Sequence, residues 1–319
     1  MTITRLTITV AVPDAAMLDR LTPIANASAD DDVVLEVWTT DDPPLDHPVD
    51  LVVLPYSVSA AALPAFAHSP VSVIQSQSLG YDGVERSLPA GLAYCNAVGV
   101  HEGPTAELAV ALILESQRGL DVIARAQPSG GWQRDWYPGL LGRSVLIVGV
   151  GGVGDAVAAR LEPFGVALSR VARTAREDRR GVIHSLRDLP TLLGKADIVV
   201  LGIPLTPETT GMVDAAFLDQ MKASALLVNV SRGAIVDTAA ITASVASGAI
   251  RVALDVVEPE PLPPDHPLWT LPGVIITPHL GGQVASMASR IDPLVRLQIS
   301  RLQSGLSPLN IVVDTRTSS

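Results

Sequence analysis

Three segments of this sequence end an apolar run on side chains that can do chemistry. Leu227-Val-Asn229-Val-Ser231-Arg232-Gly233 delivers a guanidinium, and Ala253-Leu-Asp255-Val-Val-Glu258-Pro259-Glu260-Pro261 delivers carboxylates. Ile276-Thr277-Pro278-His279-Leu280-Gly281-Gly282 delivers an imidazole. A guanidinium pairs with a small carboxylate through two parallel hydrogen bonds. Histidine is the side chain best matched to proton exchange near neutral pH, and a neighbouring carboxylate stabilises its protonated form. That makes His279 a competent acid when a ketone is reduced. Prolines flank Glu260 on both sides and restrict its backbone, which suits a group held at a defined angle. Alone, such an arginine reads as a salt-bridge partner and such a histidine as a structural or surface residue. Three complementary groups at strand ends shift the reading to a catalytic set.

A fourth segment offers the redox partner a place to bind. Val145-Leu-Ile-Val-Gly149-Val-Gly151-Gly152-Val153-Gly154 places G-x-G-x-x-G after an apolar strand and before a helix. Gly149 permits the tight turn, Gly151 lets backbone approach a pyrophosphate, and Gly154 lets the helix pack on the strand. The helix N-terminus then presents unpaired N–H groups to the phosphates. Glycine turns are common, but this setting favours dinucleotide binding. An acidic residue about 20 positions on would hold the ribose hydroxyls of NAD. Here Arg173 and Thr174 stand in that region, within Val171-Ala-Arg173-Thr174-Ala-Arg176. Guanidinium pairs with a 2′-phosphate that a carboxylate would repel. The sequence thus predicts NADP(H) as preferred cofactor, with NAD(H) possible; the bland alternative is a solvated arginine that does not discriminate.

The elements needed to position these groups are legible as alternating strands and helices. Apolar runs at 6–12, 33–38, 51–55 and 71–75 predict strands, with a helix at 60–67 between two of them. Residues 102–120 predict a mostly apolar connecting helix with Pro104 near its first turn and Gly119 near its end. A second alternation follows: strand 145–150, helix 153–164, strand 166–171, and strands at 198–201, 226–229, 253–255 and 274–277. A closing helix at 285–304 and a short strand after Asn310 complete the chain, with a frayed end. Alternation of this kind implies α/β architecture with parallel sheets.

Composition sets bounds on partners. The 319 residues are 48% apolar, 17% charged and only 3% aromatic, which predicts two packed globular domains with aliphatic cores. The net charge is −11 and the densest basic cluster is Arg176, Arg179 and Arg180, so no nucleic-acid footprint is expected. Cys95 is the single cysteine, which predicts a buried thiol and excludes an intrachain disulfide. Residues 1–10 alternate polar and apolar types and lack the basic start and apolar stretch of a signal peptide. No apolar run approaches ~18 residues, so no membrane span and a cytoplasmic location are expected. His47, His68, His101, His184 and His266 have no metal-ligand spacing and read as loop or surface residues. No metal is expected.

Read together, these segments resemble the D-isomer-specific 2-hydroxyacid dehydrogenase family, in order along most of the chain. The resemblance is carried by Ser78-Leu79-Gly80-Tyr81-Asp82-Gly83, Thr105-Ala-Glu107-Leu-Ala-Val-Ala-Leu, the glycine turn and Pro204-Leu-Thr206-Pro-Glu-Thr209. It continues through Asn229-Val-Ser-Arg232-Gly233, Leu254-Asp255-Val, Glu260-Pro261, His266-Pro-Leu-Trp269 and Thr277-Pro-His279. It implies two doubly wound parallel-sheet domains. A Rossmann coenzyme domain at 99–285 would be inserted into a flavodoxin-like substrate domain at 1–98 plus 286–319, with substrate in the cleft between them.

The resemblance also implies roles, residue by residue. Arg232 would clamp the substrate carboxylate and polarise the adjacent carbonyl, with help from the Leu79 and Gly80 amides. His279 would exchange the proton and Glu260 would orient and charge it, leaving Glu258 facing solvent. Asp255 would anchor the nicotinamide carboxamide, and Val230, Ser231 and Arg232 would line the same ring. Gly152 and Val153 would meet the pyrophosphate, and Pro204 would line the cofactor site. The implied reaction transfers hydride between NAD(P)H and a small 2-oxo or 2-hydroxy acid. The loop of Trp132 and Trp136 would pack at a homodimer interface, or else within one subunit. Two rivals stand beside this reading. One is an NAD(P)(H)-sensing, corepressor-like protein without turnover, which the Arg232, Glu260 and His279 set argues against. The other is a formate-type dehydrogenase, which would carry an amide where Glu260 stands.

Overall fold

A computed structural model describes residues 6–25, 33–56, 58–132 and 134–316. The sequence expectations for residues 1–5 and for the frayed end at 317–319 lie outside the described residues. Two compact units are present, Met1–His101 with Ala285–Ser319, and Glu102–Val284.

The first unit contributes strands Ile8–Val12 (β1), Val33–Val37 (β2), Val49–Val53 (β3), Val71–Gln75 (β4) and Ala93–Cys95 (β5). The second contributes Ser144–Val148 (β6), Ala167–Ala172 (β7), Arg176–Asp178 (β8), Gly181–Ser185 (β9) and Ile198–Leu201 (β10). It continues with Leu226–Asn229 (β11), Arg251–Leu254 (β12) and Val274–Ile276 (β13), and the chain returns to the first unit for Ile311–Asp314 (β14).

In the first unit the strands lie in the order β2-β1-β3-β4-β5-β14. The first five form the parallel, doubly wound arrangement of flavodoxin-like sheets. Successive strand residues face opposite sides, and the sequence supplies apolar residues to both. Val10, Val12, Leu51 and Val53 pack with Met17, Leu21, Ile291, Val295 and Ile299 on one face. Ala11, Val52 and Ile74 pack with Trp38, Leu63 and Phe66 on the other. The parallel-sheet expectation holds for these five strands, and β14 adds one antiparallel edge by pairing with β5.

The second unit follows the order β13-β12-β11-β10-β6-β7-β9-β8. Strand order reverses between β6 and β10, the crevice where open α/β sheets bind ligands at strand carboxyl ends. Leu146, Val148, Leu201, Leu227 and Leu254 fill one layer, and Ile147, Val200, Val228 and Ala253 the other. Helix Glu102–Arg118 covers the second layer with Ala106, Ala109, Leu112 and Ile113. The second antiparallel exception is β8, paired with β9.

Three other local expectations change. The segment read as a helix at 60–67 is a 3-10 run, Ala60–His68, capped by Ser59 and carrying Pro64 inside. The connecting helix stops at Arg118, because Gly119 adopts φ 59, and a new helix runs Leu120–Ala126. Strands β5, β8 and β9 were not anticipated; β8 is wholly exposed and has no apolar run to betray it. Among the described residues no helix is long and apolar enough to cross a membrane.

Cys95 lies in β5 and is buried. Burial pushes its thiol up to about 12, so the nucleophilic thiolate is scarce at neutral pH. A thiol-exchange reagent should therefore release no chromophore from the folded protein at pH 8 and one equivalent after denaturation. Rapid labelling of the native protein would contradict the burial.

Candidate active site

The His279 turn is built by a residue that sequence reading assigned elsewhere. Asp255 follows β12 and is 2% exposed. Its carboxylate accepts hydrogen bonds from Thr277 Oγ1 (2.6 Å), the Leu280 amide (2.7 Å) and the Gly281 amide (2.9 Å). Its carbonyl takes the amide of His279 at 2.8 Å. These bonds bracket the turn after β13 and hold His279 at φ 54, a left-handed conformation uncommon outside glycine. Strain of this kind persists only where the surroundings over-determine it, and it concentrates at functional sites.

The imidazole then meets Glu260, with Nδ1 2.7 Å from Oε1. A carboxylate oxygen accepts, so Nδ1 donates and Nε2 is left as the nitrogen that can exchange a proton. Both side chains are about half exposed. Glu258 is exposed, as expected.

Arg232 comes from the turn after β11. Asn229, fully buried, donates Nδ2 to the Arg232 carbonyl (2.9 Å) and accepts the Ser231 amide on Oδ1 (3.0 Å). Ser231 Oγ donates to Leu201 O at 2.8 Å, tying this turn to the end of β10. The guanidinium is half-buried, with Nη1 donating to Ser231 O at 2.7 Å. Gly233 explains how this turn approaches the loop that carries Glu260. A Cβ there would overlap the Val257 carbonyl. Gly233→Ala should therefore force the two loops apart and destabilise the protein by about 3 kcal/mol, the upper range for overpacking. Thermal denaturation reads this, and an unchanged Tm would show that the loops are not in contact.

The glycine turn fits a bound dinucleotide. Gly149 adopts φ 109, and a Cβ on Gly154 would overlap the Gly149 carbonyl, so those two glycines serve the turn and the helix packing. Gly151 is different: a Cβ there would meet nothing within 4 Å. Open space beside bare backbone suits a ligand. Helix Gly152–Leu161 starts there with no side-chain cap, leaving the amides of Gly152 and Val153 for an anion.

Arg173 and Thr174 follow β7 and are exposed. Their loop is braced from beneath by Arg170, buried in β7, which grips Asp178 of β8 at 2.6 and 2.7 Å. This pairing holds the Asp178 carboxyl down to about 2. Arg176 reaches back toward the glycine turn, with Nη2 3.4 Å from Val150 O. The Pro204 turn lies alongside: Thr209 Oγ1 donates to Pro204 O at 2.8 Å. Glu208 is held below the usual carboxylate range first by the Thr206 hydroxyl, with Arg173's charge contributing.

Leu79 and Gly80 stand in the first unit, on the half-buried turn after β4, with Tyr81 exposed beside them. His101 departs from the expectation of a loop or surface histidine, since it is 4% exposed and bonded through Nε2 to Gln77 O. Asp255 as bracket, Asn229 and Gly233 hold these turns, parts that sequence reasoning did not single out for them. Their only signal was membership of the quoted motifs.

Residues 110–281 match the family described as D-isomer specific 2-hydroxyacid dehydrogenase, NAD binding domain. The chain is similar to a glyoxylate reductase of Thermofilum pendens, 33% identical over 253 residues, covering 76% of this chain and 75% of the relative. It is also similar to a glyoxylate reductase/hydroxypyruvate reductase of Mus musculus, 37% identical over 228 residues, covering 67% and 69%. Among solved structures it resembles a D-isomer specific 2-hydroxyacid dehydrogenase from Xanthobacter autotrophicus in complex with NADPH and MES. That structure superposes with TM-score 0.80 at 26% identity, over 98% of this chain and 100% of the other. Another, an NADPH-dependent glyoxylate/hydroxypyruvate reductase from Sinorhizobium meliloti in complex with NADP and malonate, gives TM-score 0.77 at 25% identity, over 97% and 98%. The nucleotide turn and the strand-end set thus sit in a chain whose match extends over half its length, and it belongs to the D-isomer specific 2-hydroxyacid dehydrogenase family as a nicotinamide-dependent 2-hydroxyacid oxidoreductase.

Proposed function

We propose that this enzyme reduces small 2-oxo acids of the glyoxylate and hydroxypyruvate class to D-2-hydroxy acids, with NADPH preferred and NADH usable. The observation that carries the reading is the His279–Glu260 pair, which leaves Nε2 as an accessible proton donor at a bracketed strand end. Bound NADPH supplies the hydride. Arg232 holds the substrate carboxylate through its guanidinium and draws electron density from the neighbouring carbonyl; the amides of Leu79 and Gly80 complete the carboxylate site. His279 gives the Nε2 proton to the carbonyl oxygen, and Glu260 stabilises the imidazolium before transfer. In the reverse direction His279 takes that proton back.

On the cofactor side, the Gly152 and Val153 amides take the pyrophosphate beside Gly149, Gly151 and Gly154. Val230, Ser231 and Arg232 line the nicotinamide with Pro204 nearby. Asp255 keeps acceptor capacity for the carboxamide while bracketing the turn, since a carboxylate offers about four lone-pair sites. Arg173 and Thr174 would hold the 2′-phosphate. In this reading the unit Met1–His101 with Ala285–Ser319 serves as the catalytic domain and Glu102–Val284 as the coenzyme domain. Homodimerisation is supported by the bare rings of Trp132 and Trp136, which are 90% and 101% exposed in one chain. A cytoplasmic location belongs to the same reading.

The test is a panel of glyoxylate, hydroxypyruvate and bulkier 2-oxo acids with each reduced nicotinamide. NADPH oxidation with the small acids is expected, and no oxidation across the panel would favour a sensing protein. Arg173→Asp should lower the NADPH-over-NADH ratio of kcat/KM by about 100-fold, since a charge-assisted bond is lost and a repulsion gained. A wild-type ratio favouring NADH would overturn the NADPH preference.

A further inference from the structure

The turn after β4 carries the Leu79 and Gly80 amides, and the structure shows how its peptide planes are fixed. Three consecutive carbonyls are held by the segment that follows β5. Gln77 O accepts from His101 Nε2, Ser78 O from the Ala97 amide at 2.9 Å, and Leu79 O from Asn96 Nδ2 at 2.9 Å. In a trans peptide the carbonyl of one residue and the N–H of the next point in opposite directions. Holding Ser78 O and Leu79 O on the side of residues 96–101 therefore turns the Leu79 and Gly80 N–H groups to the other side. Among the described residues neither of those amides donates to a protein acceptor. Adjacent amides facing one way form a concavity that binds anions.

Two of the three holding groups are side chains, and both are buried: Asn96 and His101 are each 4% exposed. The Asn96 Oδ1 atom is buried with no hydrogen-bond partner among the described residues, so its Nδ2 donor is what the position uses. A carbonyl can only accept, so His101 carries its proton on Nε2. The ring packs against Tyr56, with centroids 5.7 Å apart. Gln77, in turn, is tied to the end of β3 by Nε2 to Leu54 O at 2.8 Å. The turn is thus braced from β3 and from the residues after β5.

We infer that Asn96 and His101 are positioning residues for substrate: Asn96, through the Leu79 carbonyl, aims the Gly80 amide at the substrate carboxylate, and His101, through the Gln77 carbonyl, anchors the turn one peptide before the Leu79 amide. This rests on the 2-oxo acid reading above. It goes beyond that reading in assigning carboxylate affinity to two side chains that never touch the ligand.

The test uses full-length protein saturated with NADPH. N96D is nearly isosteric but replaces the donor with an acceptor that repels Leu79 O. H101F keeps a ring without a donor, whereas H101Q retains a donor at a position close to Nε2. N96D and H101F should raise KM for glyoxylate by about 10- to 100-fold with kcat within about threefold, and weaken oxamate binding by the same factor. NADPH affinity should stay at the wild-type value, and H101Q should restore KM to within about threefold. A merely structural role would lower Tm without this split. If N96D does not fold, the H101F and H101Q pair carries the test. Wild-type KM and oxamate affinity in folded N96D and H101F would overturn the inference alone. A wild-type protein that turns over no 2-oxo acid and binds no oxamate would overturn the parent reading with it.

Discussion

Replacing His279 by asparagine should lower kcat for 2-oxo acid reduction by about 10²- to 10⁴-fold, the range general acid catalysis supplies, while NADPH affinity changes little. Asparagine is the informative substitute because the position sits at φ 54, and asparagine tolerates that left-handed conformation better than other residues of its size. The turn, bracketed by the Asp255 carboxylate, should therefore survive while the exchangeable proton disappears. Glu260→Gln should cost less, about 10-fold in kcat, since an amide oxygen can still accept from Nδ1 but brings no charge to the imidazolium. Glu260 is 19 residues from His279 in sequence, and their 2.7 Å contact is what makes the two losses overlap. The double variant should thus be no worse than H279N alone, because two groups that act as one unit are not additive. Steady-state kinetics at saturating NADPH read all three. More than a tenth of wild-type kcat in H279N would remove His279 from the proton path.

Much of the fold could be read in advance because burial on both faces of a parallel sheet leaves a strong trace. Leu226, Leu227 and Val228 form an unbroken apolar run, and the structure divides them between two cores on opposite faces. The glycine turn was legible for a related reason: Gly149 and Gly154 are required by backbone that no other residue could allow. What escaped was either short or long-range. β5 is three residues long and β8 has no buried position, so neither prints a periodic pattern. The bracketing role of Asp255 escaped because its three donors lie 22 to 26 residues away, in a turn whose return to β12 is set by strand order. His101 looked like a surface histidine because its partner Gln77 lies 24 residues earlier. Types and spacing reveal which groups can react; which groups hold them still is decided by contacts that only the fold creates.

The Arg232 turn is where this distinction has its largest consequence. Arg232→Ala should lower kcat/KM for 2-oxo acids by about 10⁴- to 10⁶-fold. Truncating one member of a desolvated charge pair costs about 2–5 kcal/mol, and a further about 10² comes from lost polarisation of the carbonyl as negative charge develops on its oxygen. The effect should fall on both parameters, since the guanidinium would bind ground state and transition state unequally. Lysine should recover little. An ammonium is a point charge and cannot present two parallel donors to a carboxylate. It also cannot reproduce the Nη1 bond to Ser231 O that sets the guanidinium's direction. The turn itself should persist in either variant, because Asn229 and Ser231 hold it through the Arg232 carbonyl, the Ser231 amide and Leu201 O, none of which involves the arginine side chain. Added guanidinium ion should therefore restore part of the R232A activity in a saturable manner, filling a preformed space. An R232A enzyme within 10-fold of wild type would show that substrate carboxylate is held elsewhere. An R232A enzyme that is inactive and has lost NADPH binding would show that the side chain, contrary to the hydrogen-bond pattern, supports the turn.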